Sequence, residues 1–236
     1  FFTDILVRDP GLFRWLTASG VLSVPLHKDD VRADVQRLCE AFPRAERRLD
    51  ALRRLLRREV LRVGVQDILG LADLRVITSQ LSDLADGVID AVLVATCEQL
   101  RQKYGTVPAE PFAVIGLGKL GGRELNYSSD VDLLFVYGAD GTTAGLSCSH
   151  HEFLIERAGR FVQNLTQPTA EGHMYRVDMR LRPEAGAGAL ARPVNGYLLY
   201  YESRGELWER QMLLKARPVA GSRELGGSFL RALEPF

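Results

Sequence analysis

The stretch Phe112-Ala-Val-Ile-Gly-Leu-Gly-Lys-Leu-Gly-Gly-Arg-Glu-Leu-Asn-Tyr-Ser-Ser-Asp-Val-Asp-Leu-Leu-Phe-Val-Tyr137 decides how this chain folds. Its two ends, Phe112–Ile115 and Val131–Tyr137, are apolar runs too short for helices and bounded by glycine or polar residues, which reads as two buried strands. Met174-Tyr-Arg-Val-Asp-Met179 predicts a third strand, with a helix over about 149–165 before it. This half of the chain is therefore α/β or α+β.

Between the first two strands, Gly116-Leu-Gly118-Lys-Leu-Gly121 formally matches a dinucleotide-binding turn. That unit needs a full helix and an acidic residue at the far end of the second strand. Only Gly122 to Ser129 intervene here, and Asp130 and Asp132 begin the strand instead of finishing it. A P-loop is excluded as well, because Gly121-Gly122-Arg123 stands where Gly-Lys-Ser/Thr is required. What remains is a glycine turn whose N–H groups can approach phosphate oxygens. Gly118, Lys119, Gly121 and Gly122 are the candidate phosphate-binding residues, against the plainer reading that the glycines only shape a tight turn.

Asp130-Val-Asp132 opens a strand, so alternation puts both carboxylates on one face and Val131 in the core. Two like charges so placed are best tolerated around a cation, and hard oxygen donors suit Mg²⁺ or Mn²⁺. Asp178, between Val177 and Met179, repeats the pattern on the later strand and would lie beside the pair. Three carboxylates around two divalent ions, with a glycine turn upstream, form the layout for in-line displacement at phosphorus. Arg180 and Arg182, read as alternating on the same side as Asp178, are candidates for phosphate oxygens or for ion pairs with the acids. Ser128 and Ser129 are candidate phosphate donors and Asn126 a candidate loop-orienting residue, or all three stabilise the local turn.

Outward from this core, residues 1–107 are rich in Leu, Arg, Ala and Asp, with apolar residues recurring at three and four. Leu49, Leu52, Leu56, Val60 and Val63 mark one face of a helix after Pro43, and a second helix runs from Ser79 to about Lys103 with Leu81, Leu84, Val88, Ile89, Val92 and Ala95 toward the core. The arginines of residues 44–62 form either a solvated face or a surface for phosphates or an acidic partner. Gly105–Pro111 carries two prolines within four residues and suits a connection, which divides the chain into a helical region, 1–107, and a catalytic domain, 108–236. The loop from Gly138 to Ser147 is small and polar and is expected to be mobile. Cys148, His150 and His151 read as a helix start instead of a metal site. Trp208-Glu-Arg210 and Lys215-Ala-Arg217 are expected on a helix.

Across the 236 residues, Lys plus Arg equals Asp plus Glu at 30 each, and no basic aromatic stripe is present, which argues against a nucleic-acid partner. No apolar run approaches the roughly 20 residues that span a bilayer, so no membrane association is expected. Cys39, Cys97 and Cys148 are scattered and odd in number, which points to a reducing compartment, the cytoplasm. The chain opens at Phe1 without Met and is expected to be a piece of a longer protein.

Residues 116–133 resemble the signature of bifunctional glutamine synthetase adenylyltransferase/adenylyl-removing enzymes. Tyr175–Pro183, Trp208–Gly221, Arg57–Gly70 and Leu81–Asp86 are similar to further blocks of that family, in order. The resemblance implies an α+β chain, mainly helical and then a polymerase-beta-like nucleotidyltransferase domain with a small mixed sheet. It implies Asp130, Asp132 and Asp178 as metal ligands, two Mg²⁺ or Mn²⁺ ions, and ATP, ADP or AMP as substrate or product. Glutamine synthetase would be the protein substrate and the PII signal protein the regulator. Asn126 and Met179 resemble the N-terminal half, which removes AMP from a tyrosine by phosphorolysis and releases ADP. The alternatives are ATP-dependent adenylylation and a nucleotide-binding regulatory fragment without turnover. Ala185 and Ala189 replace a Gly and a Pro usual after Arg-Leu-Arg-Pro, and Ser222 stands where Asp is common.

Overall fold

The computed structural model describes residues 2–105, 110–139, 141, 148–184 and 188–236. Five helices come first: α1 (Phe2–Arg8), α2 (Gly11–Leu16), α3 (Lys28–Ala41), α4 (Ala45–Ile68) and α5 (Leu74–Tyr104). On α4 the expected face is buried at Leu49, Leu52, Leu56 and Val63. Helix α5 starts five residues earlier than its apolar spacing predicts, because Asp73 caps it by accepting from Val76 N at 2.8 Å. Its predicted core positions, Leu81, Leu84, Val88, Ile89, Val92 and Ala95, are all buried.

Four arginines of α4 form neither a solvated face nor an open anion surface. Arg48 donates to Glu98 on α5 at 2.9 Å, Arg53 donates to the carbonyls of Asn164 and Gln167 at 3.1 and 3.2 Å, and Arg54 and Arg57 share Glu171. Arg53, Arg54 and Arg57 tie the helical region to chain more than a hundred residues away, while Arg48 joins α4 to α5.

The remaining elements are β1 (Phe112–Gly116), α6 (Gly118–Gly121), β2 (Val131–Tyr137), α7 (His150–Thr166), β3 (Val177–Asp178), β4 (Ala191–Pro193), α8 (Val194–Arg204), α9 (Leu207–Leu213), β5 (Arg217–Gly221) and α10 (Arg223–Leu233). The strands form one mixed sheet in the order β3-β2-β1-β5, with β4 also on β2. Strand β1 runs antiparallel to β2 and β5, whereas β3 and β4 run parallel to β2. The fold is α+β, with helices in the majority around a small mixed sheet.

Both faces of that sheet are covered, which is why β1 and β2 read as unbroken apolar runs. Phe112, Val114, Leu133 and Phe135 face one core, shared with α3, α4, α5 and α7. Ala113, Ile115, Leu134 and Val136 face the other, closed by Tyr197 and Tyr201 of α8 and Phe229 of α10. The first core runs without a break from the N-terminal helices into the sheet. The boundary expected between residues 107 and 108 and most of the 138–147 loop lie outside the described residues.

Two expectations are corrected. The third strand is confined to Val177–Asp178, because β2 offers parallel partners only at Val131 and Asp132, and Met174 and Tyr175 bond instead to the Leu165 carbonyl at the end of α7. Lys215–Arg217 lies beyond α9, and Arg217 opens β5; the residue before Pro218 is biased to extended backbone.

Phe135 is fully buried, stacked on Phe112 at 5.9 Å and edge-on to Phe161 at 5.6 Å. Phe135→Ala should cost about 3–5 kcal/mol in urea unfolding, whereas Leu214→Ala at an exposed position should change stability by less than about 0.5 kcal/mol.

Candidate active site

The site forms where β1 ends and β2 begins. Leu117 N donates to the Asp132 carbonyl at 2.9 Å, which turns the chain from β1 into the short helix α6 directly against Asp132. Gly118 sits at φ +51°, and a Cβ there would stand 2.5 Å from Asp132 Oδ2. A side chain at 118 would displace the carboxylate, so glycine is required on both counts. Gly121 is packed against the carbonyls of Lys215 and Gly116, with no room for a Cβ. The first N–H groups of this turn have no intrahelical acceptor.

Asp178 is paired in register with Asp132 on the parallel strand β3. Asp130 lies one residue before β2 and is exposed. Burial pushes the Asp132 carboxyl above the usual range, and the charges of Asp178 and Asp130 push it further, against Arg180 and Lys119. Asp178 is held low because the Arg180 side chain donates to it, with Nε 2.9 Å from Oδ2, and Arg180 N adds a bond of 2.8 Å to Oδ1. Arg176 Nε lies 2.5 Å from Asp130 Oδ1 and its Nη2 is 2.7 Å from the Ser128 carbonyl. Two arginines thus stand on the outer acids, while the inner one carries the repulsion.

The donor set fits divalent cations in kind: three hard carboxylate oxygen groups, one of them crowded by the other two. As they stand, no three His, Cys, Asp or Glu side chains among the described residues converge on one point as a metal site. Arg176 and Arg180 draw Asp130 and Asp178 to themselves, and both arginine side chains are largely exposed.

The scaffold beneath the glycine turn comes from α5 and β5. Arg217 grips Asp86 through two nitrogens at 2.6 and 2.9 Å, and donates to the carbonyls of Leu120 and Gly121 at 2.9 and 3.1 Å. Arg123, at φ +57°, reaches Ser79 and Asp83, each at 2.9 Å. Ser82 Oγ accepts from Leu125 N at 3.3 Å, and Lys215 pairs with Glu124 at 2.7 Å. The turn is therefore held from below by α5 and from the side by residues 215–217.

The family comparison follows this geometry. A family model described as glutamate-ammonia ligase adenylyltransferase matches residues 1–232. The chain belongs to this family. Proteins named bifunctional glutamine synthetase adenylyltransferase/adenylyl-removing enzyme are similar to it: that of Thioalkalivibrio sulfidiphilus is 41% identical over 242 residues, covering 100% of this chain and 25% of the relative. Those of Nitrosococcus oceani and Pseudomonas putida are 36% and 35% identical, each over 100% of this chain and 25% of the relative. The chain spans about a quarter of the length of these adenylyltransferases.

Among the residues proposed from sequence, Gly118, Lys119, Asp130, Asp132, Asp178 and Arg180 come together at this site. Gly121 and Gly122 lie at the base of the turn, against Lys215. Arg182 turns away: it is buried and donates to the carbonyls of Met179 and Gly188 at 3.0 and 3.3 Å, since β3 ends at Asp178 and alternation stops there. Asn126 Oδ1 accepts from Ser128 N at 3.2 Å and Ser129 Oγ at 2.7 Å, so these three build the turn into Asp130. Ser149 caps α7 in a capping box with Glu152, which makes Cys148, His150 and His151 a helix start. Trp208 is 44% exposed and outside the core. Ala185 lies outside the described residues, and Ser222 caps α10 by accepting from Leu225 N at 3.2 Å, a task Asp performs equally.

Asp83, Asp86, Arg123 and Arg176 were missed as site residues. The one signal for Asp83 and Asp86 is two acids on the otherwise buried stripe of a helix, where an unpaired carboxylate is not tolerated. Arg217→Met strands Asp86 and should cost about 3–5 kcal/mol in thermal or urea unfolding. Gly118→Ala should leave the fold intact in urea unfolding and lower the rate of the reaction proposed below about 100-fold, the cost of displacing one carboxylate by about 1 Å.

Proposed function

We propose that this chain belongs to the adenylyl-removing half of a glutamine synthetase adenylyltransferase. In the reaction, an oxygen of inorganic phosphate attacks the AMP phosphorus of an adenylylated tyrosine. The new phosphorus–oxygen bond forms as the bond to the tyrosine oxygen breaks, the electron pair leaves with that oxygen, and ADP is released. The observation that carries the reading is the in-register pair Asp132 and Asp178 facing Gly118, with Asp130 one pleat away. The direction rests on Asn126 and Met179, which resemble the AMP-removing half. Asn126 also supplies the acceptor for the Ser128–Ser129 turn, which a glycine at that position would lack.

Asp130, Asp132 and Asp178 would hold two Mg²⁺ or Mn²⁺ ions once Arg176 and Arg180 release the outer carboxylates. The chemistry such ions would supply there is neutralisation of negative charge on the phosphate oxygens and the departing tyrosinate. The chain's own residues do the positioning. The N–H groups after Leu117, together with Lys119, face the nucleotide phosphates, and Arg180 swings from Asp178 to a phosphate oxygen. Arg182 and Arg217 hold the backbone on either side, so little reorganisation is needed at reaction. A cleft of 540 Å³ is lined by Ser128, Ser129 and Arg176, the arginine that pairs with Asp130, and is the proposed approach for the modified tyrosine. Glutamine synthetase is the proposed protein substrate and the PII signal protein the proposed regulator, in the cytoplasm.

Incubating the chain with adenylylated glutamine synthetase, Mg²⁺ and phosphate should release ADP and strip AMP from tyrosine, read by mass spectrometry. Asp132→Asn should lower the rate about 1,000-fold, corresponding to about 4 kcal/mol of transition-state stabilisation. Formation of an AMP adduct from ATP and unmodified synthetase, with no phosphate-dependent release, would assign the opposite direction. Silence in both assays would favour a nucleotide-binding fragment without turnover.

A further inference from the structure

Arg157 is the buried cation that the carboxylate site does not use. On α7, it is 4% exposed, yet its Nε has no acceptor, and among the described residues no carboxylate pairs with it. Its guanidinium lies over Phe112 at 5.3 Å and Phe153 at 5.2 Å. Two aromatic faces return only part of what removing an unpaired guanidinium from water costs. The other buried arginines of this fold are treated differently: Arg48 holds a carboxylate and Arg53 holds two carbonyls as well as Asp50.

Arg157 lines a cleft of 330 Å³ between α5, α7 and the β5–α10 junction. That volume lies at the lower end of ligand pockets, about 300–1,000 Å³. Arg101 lines the same cleft and makes no side-chain ion pair among the described residues. Ser222, the N-cap of α10, brings the positive end of an eleven-residue helix to it. The two acids at its rim are already engaged. Asp90 Oδ1 accepts from Gly221 N at 3.0 Å and Glu98 Oε1 from Arg48 at 2.9 Å. Arg48 neutralises Glu98, so Arg101 and Arg157 face one remaining carboxylate, Asp90, and one positive charge is left over, with Leu93 and Val94 as apolar wall.

We infer that this cleft is a second anion site, which takes a small carboxylate or phosphate on the guanidinium groups of Arg157 and Arg101. It is distinct from the carboxylate site: Phe112 pairs with Tyr137, five residues along β2 from Asp132, which at 3.3 Å per residue sets them roughly 17 Å apart. An anion here gives Arg157 the partner that the described residues do not supply, and links α5 and α7 to the β5–α10 junction.

Cys97 lines the same cleft, whereas Cys39 and Cys148 lie outside it, so thiol alkylation reads occupancy locally. The full chain is treated with a maleimide, and the labelling rate of each cysteine is followed by mass spectrometry with inorganic phosphate or succinate added. A bound anion should slow Cys97 alkylation about tenfold at ten times its Kd, leaving Cys39 and Cys148 unchanged. Protection by succinate alone assigns a carboxylate ligand, and protection by phosphate alone a phosphate. Arg157→Met should abolish protection and Arg101→Ala, an exposed change that spares the fold, should weaken binding about tenfold, as expected for one charge-assisted hydrogen bond. Asp132→Asn should leave it intact. Calorimetric titration of Asp132→Asn, with and without Arg157→Met, reads the same site without the thiol. No protection and no heat with either anion, or effects that survive Arg157→Met, would overturn the assignment.

Discussion

The bidentate pair between Asp86 and Arg217 is the constraint on which the geometry of the carboxylate site depends. Asp86 is buried on α5, where burial pushes its carboxyl upward against the pull of the guanidinium. A carboxylate there is tolerable because Arg217 satisfies both oxygens, and the same guanidinium spends its remaining donors on the carbonyls of Leu120 and Gly121. One buried charge pair therefore fixes a helix of the N-terminal region, the edge strand β5 and the glycine turn in a single arrangement. Such a pair adds little net stability compared with apolar packing, but it has one geometry, and a slipped arrangement would leave both charges stranded.

From that fixed turn the rest of the site follows by contact. Gly118 is pressed onto Asp132, β3 sets Asp178 beside it, and the Asn126 turn delivers Asp130. The three acids are unequal. The outer two are neutralised by arginines that stand mostly in solvent, and the inner one bears the cost of burial and of its neighbours. The site is in this way prepared for added positive charge while remaining stable without it. Helices on both faces of the sheet supply the rigidity, since neither β1 nor β2 has a solvated side along which to shift register.

Much of this was legible in the residues. The strands β1 and β2, the helices α4 and α5 and the cap of α7 are local in origin, arising from apolar spacing, capping residues and glycine. The Asp-Val-Asp pair and the glycine turn are also local, because their residues are contiguous and the chemistry they permit is narrow. Less legible were the short strands β4 and β5 and the two-residue β3, since a strand that exists only where a neighbour offers hydrogen bonds leaves no periodicity in its own sequence. Arg182 was misjudged for the same reason: alternation was extended past the point where the sheet supports it.

By itself, then, the sequence determined the longer elements and the family and singled out the candidate acids, because these depend on residue types and spacings a few positions apart. Only the tertiary structure decided which charges are spent on the fold and which stay available: Arg48, Arg53 and Arg217 are consumed by distant partners and Arg182 by nearby carbonyls, while Arg101 and Arg157 hold no carboxylate among the described residues. The free energy of a charged group is set by what faces it across the folded chain, and for these arginines most of those partners lie far away in sequence.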